Sequence, residues 1–266
     1  MTEPQAHKPQ ARPAVLPAAL VTGAAHRIGR AIAMDLARHG FAVAVHYNRS
    51  RDEALAAVAE IESSGGRAVA LRADLTREDD LAGLVSAAAE ALGPLGLLVN
   101  NASVFEVDEV ATATRATWDT NMETNLRAPF VLAQNFARQV PDRAQGVIVN
   151  LIDQRVWNLT PYFATYTASK GGLWILTRTL ALSFAPKIRV NAIGPGPVLP
   201  SKRQTREQFE RQCRSMPLKR GAELSEICAA VRFILEARSM TGQMIALDGG
   251  QHLGWAQSVR GIIAEE

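Results

Sequence analysis

Short apolar runs alternate with helical patterns along nearly the whole chain, and this alternation restricts the fold more tightly than any single motif. Ala18–Val21 is a brief apolar strand that passes through TGAAHRIG, residues 22–29, into a helical pattern over 30–39. The strand-like run 41–47 then precedes a helix over 52–63, 67–75 precedes 78–92, 95–103 precedes 117–138, 146–151 precedes 165–184, and 187–196 precedes a helical region after Ser201. A helix over 224–236 leads into the last strand, Met244–Leu247, which ends on Asp248-Gly249-Gly250. Strands alternating with helices predict an α/β fold: a single-domain, Rossmann-like, doubly wound parallel sheet of about seven strands within residues 18–266. Residues 1–17 hold Pro4, Pro9, Pro13 and Pro17 among polar neighbours and are expected to form a flexible tail.

With 266 residues, 47% of them hydrophobic and 21% charged, the chain can bury one substantial core. The net charge of +3 is mild and the basic residues are scattered, which favours a small anionic ligand over nucleic acid. Two cysteines, Cys213 and Cys228, cannot build a disulfide framework and suit a reducing cytoplasm. Neither they nor His7, His26, His39 and His252 show ligand-like spacing, so no metal is expected. No run of eighteen apolar residues exists, and no membrane attachment is expected.

The turn after the first strand reads as a dinucleotide site. Glycines there permit a tight turn and close backbone approach to a pyrophosphate, whose charge then meets the N-terminus of the following helix. The cofactor type is decided after the second strand, at His46, Tyr47, Asn48, Arg49 and Ser50. A ribose 2′-hydroxyl asks for an acid in this region, and none occurs before Asp52; Arg49 and Ser50 instead suit a 2′-phosphate, which predicts NADP(H). The chemistry is expected between Asn150 and Gly172. Tyr166 and Lys170 stand four residues apart, on one helical face, with Asp153 thirteen residues upstream of the tyrosine and just past the end of a strand. The Lys170 ammonium is expected to lie beneath the phenol and lower its pKa, making Tyr166 a general acid.

With those residues in hand, the chain resembles the short-chain dehydrogenase/reductase superfamily from Ala18 to Leu253. The matching features are Thr22, Gly23 and Gly29; Asp74; Asn100 to Ala102; Asn125; Tyr166 with Lys170; Pro195-Gly196; and the terminal Asp-Gly-Gly. Two departures narrow the resemblance. Asp153 stands where that superfamily usually has a serine, and Arg27 stands where the cofactor loop usually has its middle glycine. Together with residues 46–50 and 101–105, they look like the pteridine reductases.

The resemblance implies a cofactor bed of Gly23, Arg27, Ile28, Gly29, the run 46–50, Asp74, Leu75, Asn101, Ala102, Ser103, Tyr166, Lys170, Pro195 and Gly196. It implies catalysis by Asp153, Tyr166, Lys170 and Asn125, and a pterin or folate substrate held by Arg27, Ser103, Phe105, Asp153 and Tyr166. Phe105 would stack on the flat ring, and Asp153 with Tyr166 would protonate its C=N nitrogen. A homotetramer is implied too, with the tail through Trp255 reaching a neighbouring subunit. Two rivals stand beside this reading: a reductase of simple ketones, such as a sugar or a 3-oxoacyl thioester, and a non-catalytic NADP(H)-binding sensor. The charged stretch 199–216 is expected to be a mobile substrate lid.

Overall fold

In the computed structural model, residues 15–201 and 203–254 are described. Seven parallel strands form one sheet: β1 (Ala18–Val21), β2 (Ala42–Tyr47), β3 (Ala68–Arg72), β4 (Leu97–Asn100), β5 (Gly146–Leu151), β6 (Ile188–Pro195) and β7 (Met244–Leu247). Their spatial order is β3-β2-β1-β4-β5-β6-β7. The order reverses between β1 and β4, so the loops leaving these two strands diverge and open a crevice at their carboxyl ends, where open α/β sheets bind ligands.

Strand side chains alternate between the two faces, as a period of two requires. On β1, Ala19 and Val21 join the core beneath α1 (Arg27–Arg38), α2 (Arg51–Ser63) and α8 (Leu224–Glu236). Ala18 and Leu20 point the other way, to α3 (Glu78–Leu92), α5 (Ala128–Gln139) and α6 (Ala164–Phe184). Because both faces are covered, the strands read as continuous apolar runs. β1, β4 and β5 are buried at every position.

The helices start where local chemistry allows. α3 opens on Glu78, Asp79 and Asp80, whose charges favour the positive end of the helix dipole. α1 has no acid in its first turn, leaving its N-terminus clear for an anion from outside. Thr114 and Thr117 form a capping box at α4 (Arg115–Met122), and Thr205 and Gln208 another at α7 (Arg206–Ser215).

Two expectations change. The helix read over 117–138 is α4 followed by α5, joined through one wide π turn at Glu123–Arg127 that carries Asn125 inward. Of the expected tail, residues 15–17 are tied to the sheet: Val15 bridges Gln145 in parallel, and Pro17 O accepts from Ala42 N at 2.8 Å. Residues 1–14, and the stretch from Trp255 onward, lie outside the described residues.

Candidate active site

The crevice is lined first by the β1–α1 turn. Gly23 has φ +62°, a left-handed conformation that a side chain would strain. A Cβ on Gly29 would lie 2.3 Å from Gly23 O and 2.4 Å from Asn101 Nδ2, so only glycine fits there. Asn101 closes the gap between β1 and β4: its Nδ2 donates to Thr22 O (2.8 Å) and Gly23 O (3.2 Å), while Thr22 Oγ1 accepts from the amides of Asn101 and Ala102. His46 lies behind this turn. Its Nδ1 accepts from Gly23 N (3.0 Å) and its Nε2 pairs with Ala73 O (3.1 Å), an arrangement that fixes the neutral tautomer with the proton on Nε2. Burial pushes the imidazole pKa down to about 4. His46 therefore serves the cofactor bed by holding the turn.

Tyr47 and Leu75 are core residues and can offer a cofactor only their backbone. Asp74, Asn48, Arg49 and Ser50 remain around the mouth of this bed. Thr76 donates twice to Asp74 Oδ1, holding the carboxyl below its ordinary pKa, and Asn48 and Arg49 add to the effect. No acid from the β2 end intrudes on Arg49 and Ser50. A tight glycine cradle, an acid-free helix start and an arginine after β2 together fit a nucleotide carrying a 2′-phosphate. Pro195 ends β6, and Gly196 N donates to Leu247 O at 2.9 Å.

Across the crevice, Asp153 follows β5 by two residues, and its Oδ1 accepts from Arg155 N at 2.8 Å. Tyr166 OH donates to Asp153 Oδ2 at 2.9 Å. This bond reverses the expected effect on the phenol. Desolvation comes first and the Asp153 carboxylate second, and both raise the Tyr166 pKa well above 10. Lys170 does not offset them: its Nζ stands 5.8 Å from the phenol ring centroid and donates to Leu151 O at 2.8 Å. Burial lowers the lysine itself to about 8. Asp153 is raised from its ordinary value, again mainly by desolvation, against lowering by Arg155, Tyr166 and Lys170. The site therefore holds a phenol that keeps its proton and a carboxyl that accepts one more readily than a carboxylate in water.

Asn125, buried in the π turn, joins this centre to the β4 loop. Its Oδ1 accepts from Val104 N (2.9 Å) and Ser103 Oγ (3.1 Å), and its Nδ2 is shared among Val104 O, Asn121 Oδ1 and Ser169 Oγ. Ser169 lies between Tyr166 and Lys170 on α6. Asp108 does related work: Oδ1 accepts from Thr165 N at 3.2 Å, and Oδ2 accepts from the Thr165 hydroxyl. It caps α6 in place of Phe163, which stands at the N-cap position with φ +59° and offers no polar side chain.

Phe105 stacks on Phe163, with centroids 4.2 Å apart at 9°, and meets Tyr166 edge-on at 4.7 Å. Arg203 lies over its ring at 5.4 Å and donates to Phe105 O at 2.9 Å. The ring is thus at the site, but a flat ligand reaching its free face must displace that guanidinium. Arg27 has φ +52°, which explains why a glycine is usual at its position, and its Nη1 and Nη2 donate to Pro200 O (2.9 Å) and Leu199 O (3.2 Å). It reaches from the cofactor turn to the stretch that precedes α7.

The chain matches, over residues 23–252, the family model described as Enoyl-(Acyl carrier protein) reductase. It is 33% identical over 240 residues to the 3-oxoacyl-[acyl-carrier-protein] reductase FabG of Staphylococcus epidermidis, a match covering 88% of this chain and 98% of that protein. The chain belongs to the short-chain dehydrogenase/reductase superfamily. Among solved structures of the superfamily, FolM alternative dihydrofolate reductase 1 from Brucella suis, in complex with NADP, is 54% identical with a TM-score of 0.86, covering 88% of this chain and 94% of that one. The protein of that name from Brucella canis, complexed with NADP, is 52% identical with a TM-score of 0.89, covering 94% and 100%. These likenesses support the pteridine reductase-like branch.

Superfamily motifs point to Asn125, Tyr166 and Lys170, and the sequence also offers Asp153 and Ser103, which bond Tyr166 and Asn125, but it does not offer every residue around them. Asp108, Arg155 and Phe163 carry no motif of their own: Asp108 acts across 57 residues on Thr165, and Arg155 and Phe163 act through a guanidinium–ring contact and a ring stack that their spacing does not reveal. The αL conformation of Phe163 leaves no mark in a sequence either.

Proposed function

We propose that this chain is an NADPH-dependent reductase of pterins, either dihydropteridines or dihydrofolate. The observation that carries the reading is the partly buried Asp153 carboxyl, which accepts from Tyr166 OH at 2.9 Å and has its pKa raised. A carbonyl oxygen needs only a neutral donor, and a carboxylate beside it would repel the negative charge that develops during reduction. A C=N nitrogen gains basicity as it is reduced and calls for an acid. The likeness to proteins named as dihydrofolate reductases supports the same reading.

NADPH, when bound, supplies the hydride. The chain's residues do the rest. Arg49 and Ser50 receive the 2′-phosphate, and the α1 N-terminus receives the pyrophosphate. Asp153 in its protonated form, linked to Tyr166 OH, delivers the proton to the ring nitrogen. Lys170, anchored on Leu151 O, sets the floor of the site, and Asn125 fixes the distance between the β4 loop and α6. Phe105 and the segment leading to α7 cover the ring and exclude water. The enzyme acts in the cytoplasm as a homotetramer; no helix among the described residues is long and apolar enough to cross a membrane.

Reduction of a 3-oxoacyl thioester is the second reading, favoured by the identity with FabG. Oxidation of NADPH by the purified protein, followed with dihydrofolate, dihydrobiopterin and acetoacetyl thioester in parallel, separates the two. Turnover of the pterins alone is expected; turnover of the thioester alone would replace this reading with the second.

A further inference from the structure

Four flat groups are layered at the mouth of the crevice. Arg155, buried beside Asp153, lies 5.0 Å over Phe163; Phe163 stacks on Phe105 at 4.2 Å; and Arg203 lies 5.4 Å over Phe105. The inner end of this column is fixed. Phe163 is 2% exposed, and Arg155 Nη1 donates to Thr160 Oγ1 at 2.6 Å. The outer end is the exposed Arg203, anchored at the guanidinium by a bond to one neutral carbonyl, Phe105 O. Because Phe105 touches Tyr166, any substituent leaving a substrate held at Tyr166 and Asp153 along this wall reaches Arg203 next.

The surroundings favour an anion there. Residues 199–220 contain seven basic side chains against two acidic ones. Glu210 is already paired with Arg206 and Arg214, and Arg220 pairs with Glu223 and Glu226. Among the described residues, Arg203 has no acidic partner. A guanidinium presents five donors in a rigid fork, and a carboxylate accepts two of them in charge-assisted bonds about twice as strong as a bond to a neutral carbonyl.

Resting on the pterin reading, we propose that Arg203 is a specificity-determining residue that selects pterins whose tail ends in a carboxylate, as in a benzoylglutamate, over those with short neutral tails. On binding, the guanidinium leaves the face of Phe105 for the tail carboxylate, and the flat substrate takes the vacated face. No bond is made or broken. The exchange substitutes one planar partner of Phe105 for another and gives the exposed cation a counter-ion.

The test is steady-state kinetics with NADPH on 7,8-dihydrofolate and 7,8-dihydrobiopterin, for the full chain and for Arg203→Gln, Arg203→Glu and Arg203→Lys, each checked for an unchanged Tm. The ratio of kcat/KM for dihydrofolate to that for dihydrobiopterin is expected to fall about ten-fold in Arg203→Gln, further in Arg203→Glu and less in Arg203→Lys, with the change carried by KM. The wild-type ratio is also expected to fall as salt rises. A ratio unmoved in all three variants, with both pterins still reduced, overturns the role of Arg203 and leaves the pterin reading standing. If the unmodified enzyme reduces neither compound, both fail.

Discussion

Burial and the Asp153 carboxylate hold the proton on Tyr166, so the pH response of the site should come from the acid rather than the phenol. The sign follows from the direction of the shift. A raised pKa keeps Asp153 protonated to a higher pH than an ordinary carboxylate, so kcat/KM for a dihydropterin should be flat at low pH and fall as pH climbs through that raised value. Asp153→Asn should remove this limb from the pH profile; a limb that survives in the variant would assign it to another group. The expectation of a phenol made more acidic by lysine failed for a physical reason. Sequence spacing places Lys170 on the right helical face, but it does not show that Nζ is held by Leu151 O while the Asp153 carboxylate bonds the phenol directly. Arg27 poses a separate balance. Its left-handed backbone costs about 1 kcal/mol, and its two bonds to residues 199 and 200 return a similar amount. Arg27→Gly should therefore leave Tm within a few degrees and weaken NADPH binding several-fold, as measured by fluorescence titration. An unchanged Kd would confine this arginine to anchoring the segment before α7.

Elements were the most legible level. β1, α3, α8 and β7 have the bounds that apolar periodicity indicated, because each is a simple amphipathic or fully apolar run. The π turn between α4 and α5 was not legible, since ETNLR has ordinary helical propensities and the five bonds that Asn125 makes there, to four residues, are mostly long-range. A similar long-range device closes α8. Arg189 on β6 donates to Ile234 O, Ala237 O and Met240 O through Nη1 and to Leu235 O through Nη2, satisfying carbonyls that the helix end leaves open. Arg189→Ala strips these partners at once and should destabilise the protein by about 2–3 kcal/mol in urea unfolding, with Arg189→Lys recovering part of it. A loss below about 0.5 kcal/mol would show that water replaces the arginine without penalty.

On the scale of the whole molecule, two large apolar side chains on one stripe of α6 remain uncovered: Ile175 is 66% exposed and Leu182 84%. The proposed tetramer would cover them. The double variant Ile175→Arg with Leu182→Arg should sediment as a smaller species than the wild type; an unchanged species would move the interface elsewhere. The same helix carries Tyr166, so the proposed assembly and the rigidity of the active site would share one element. The fold itself does not choose the substrate, because a relative 33% identical over 240 residues is named for 3-oxoacyl reduction. That choice is assigned to Asp153, and it is tested most directly by comparing wild type with Asp153→Ser for NADPH-dependent reduction of a dihydropterin and of acetoacetyl thioester. The substitution is expected to cut dihydropterin kcat/KM about a hundred-fold and to introduce or raise thioester reduction. Dihydropterin turnover within two-fold of wild type would contradict the account.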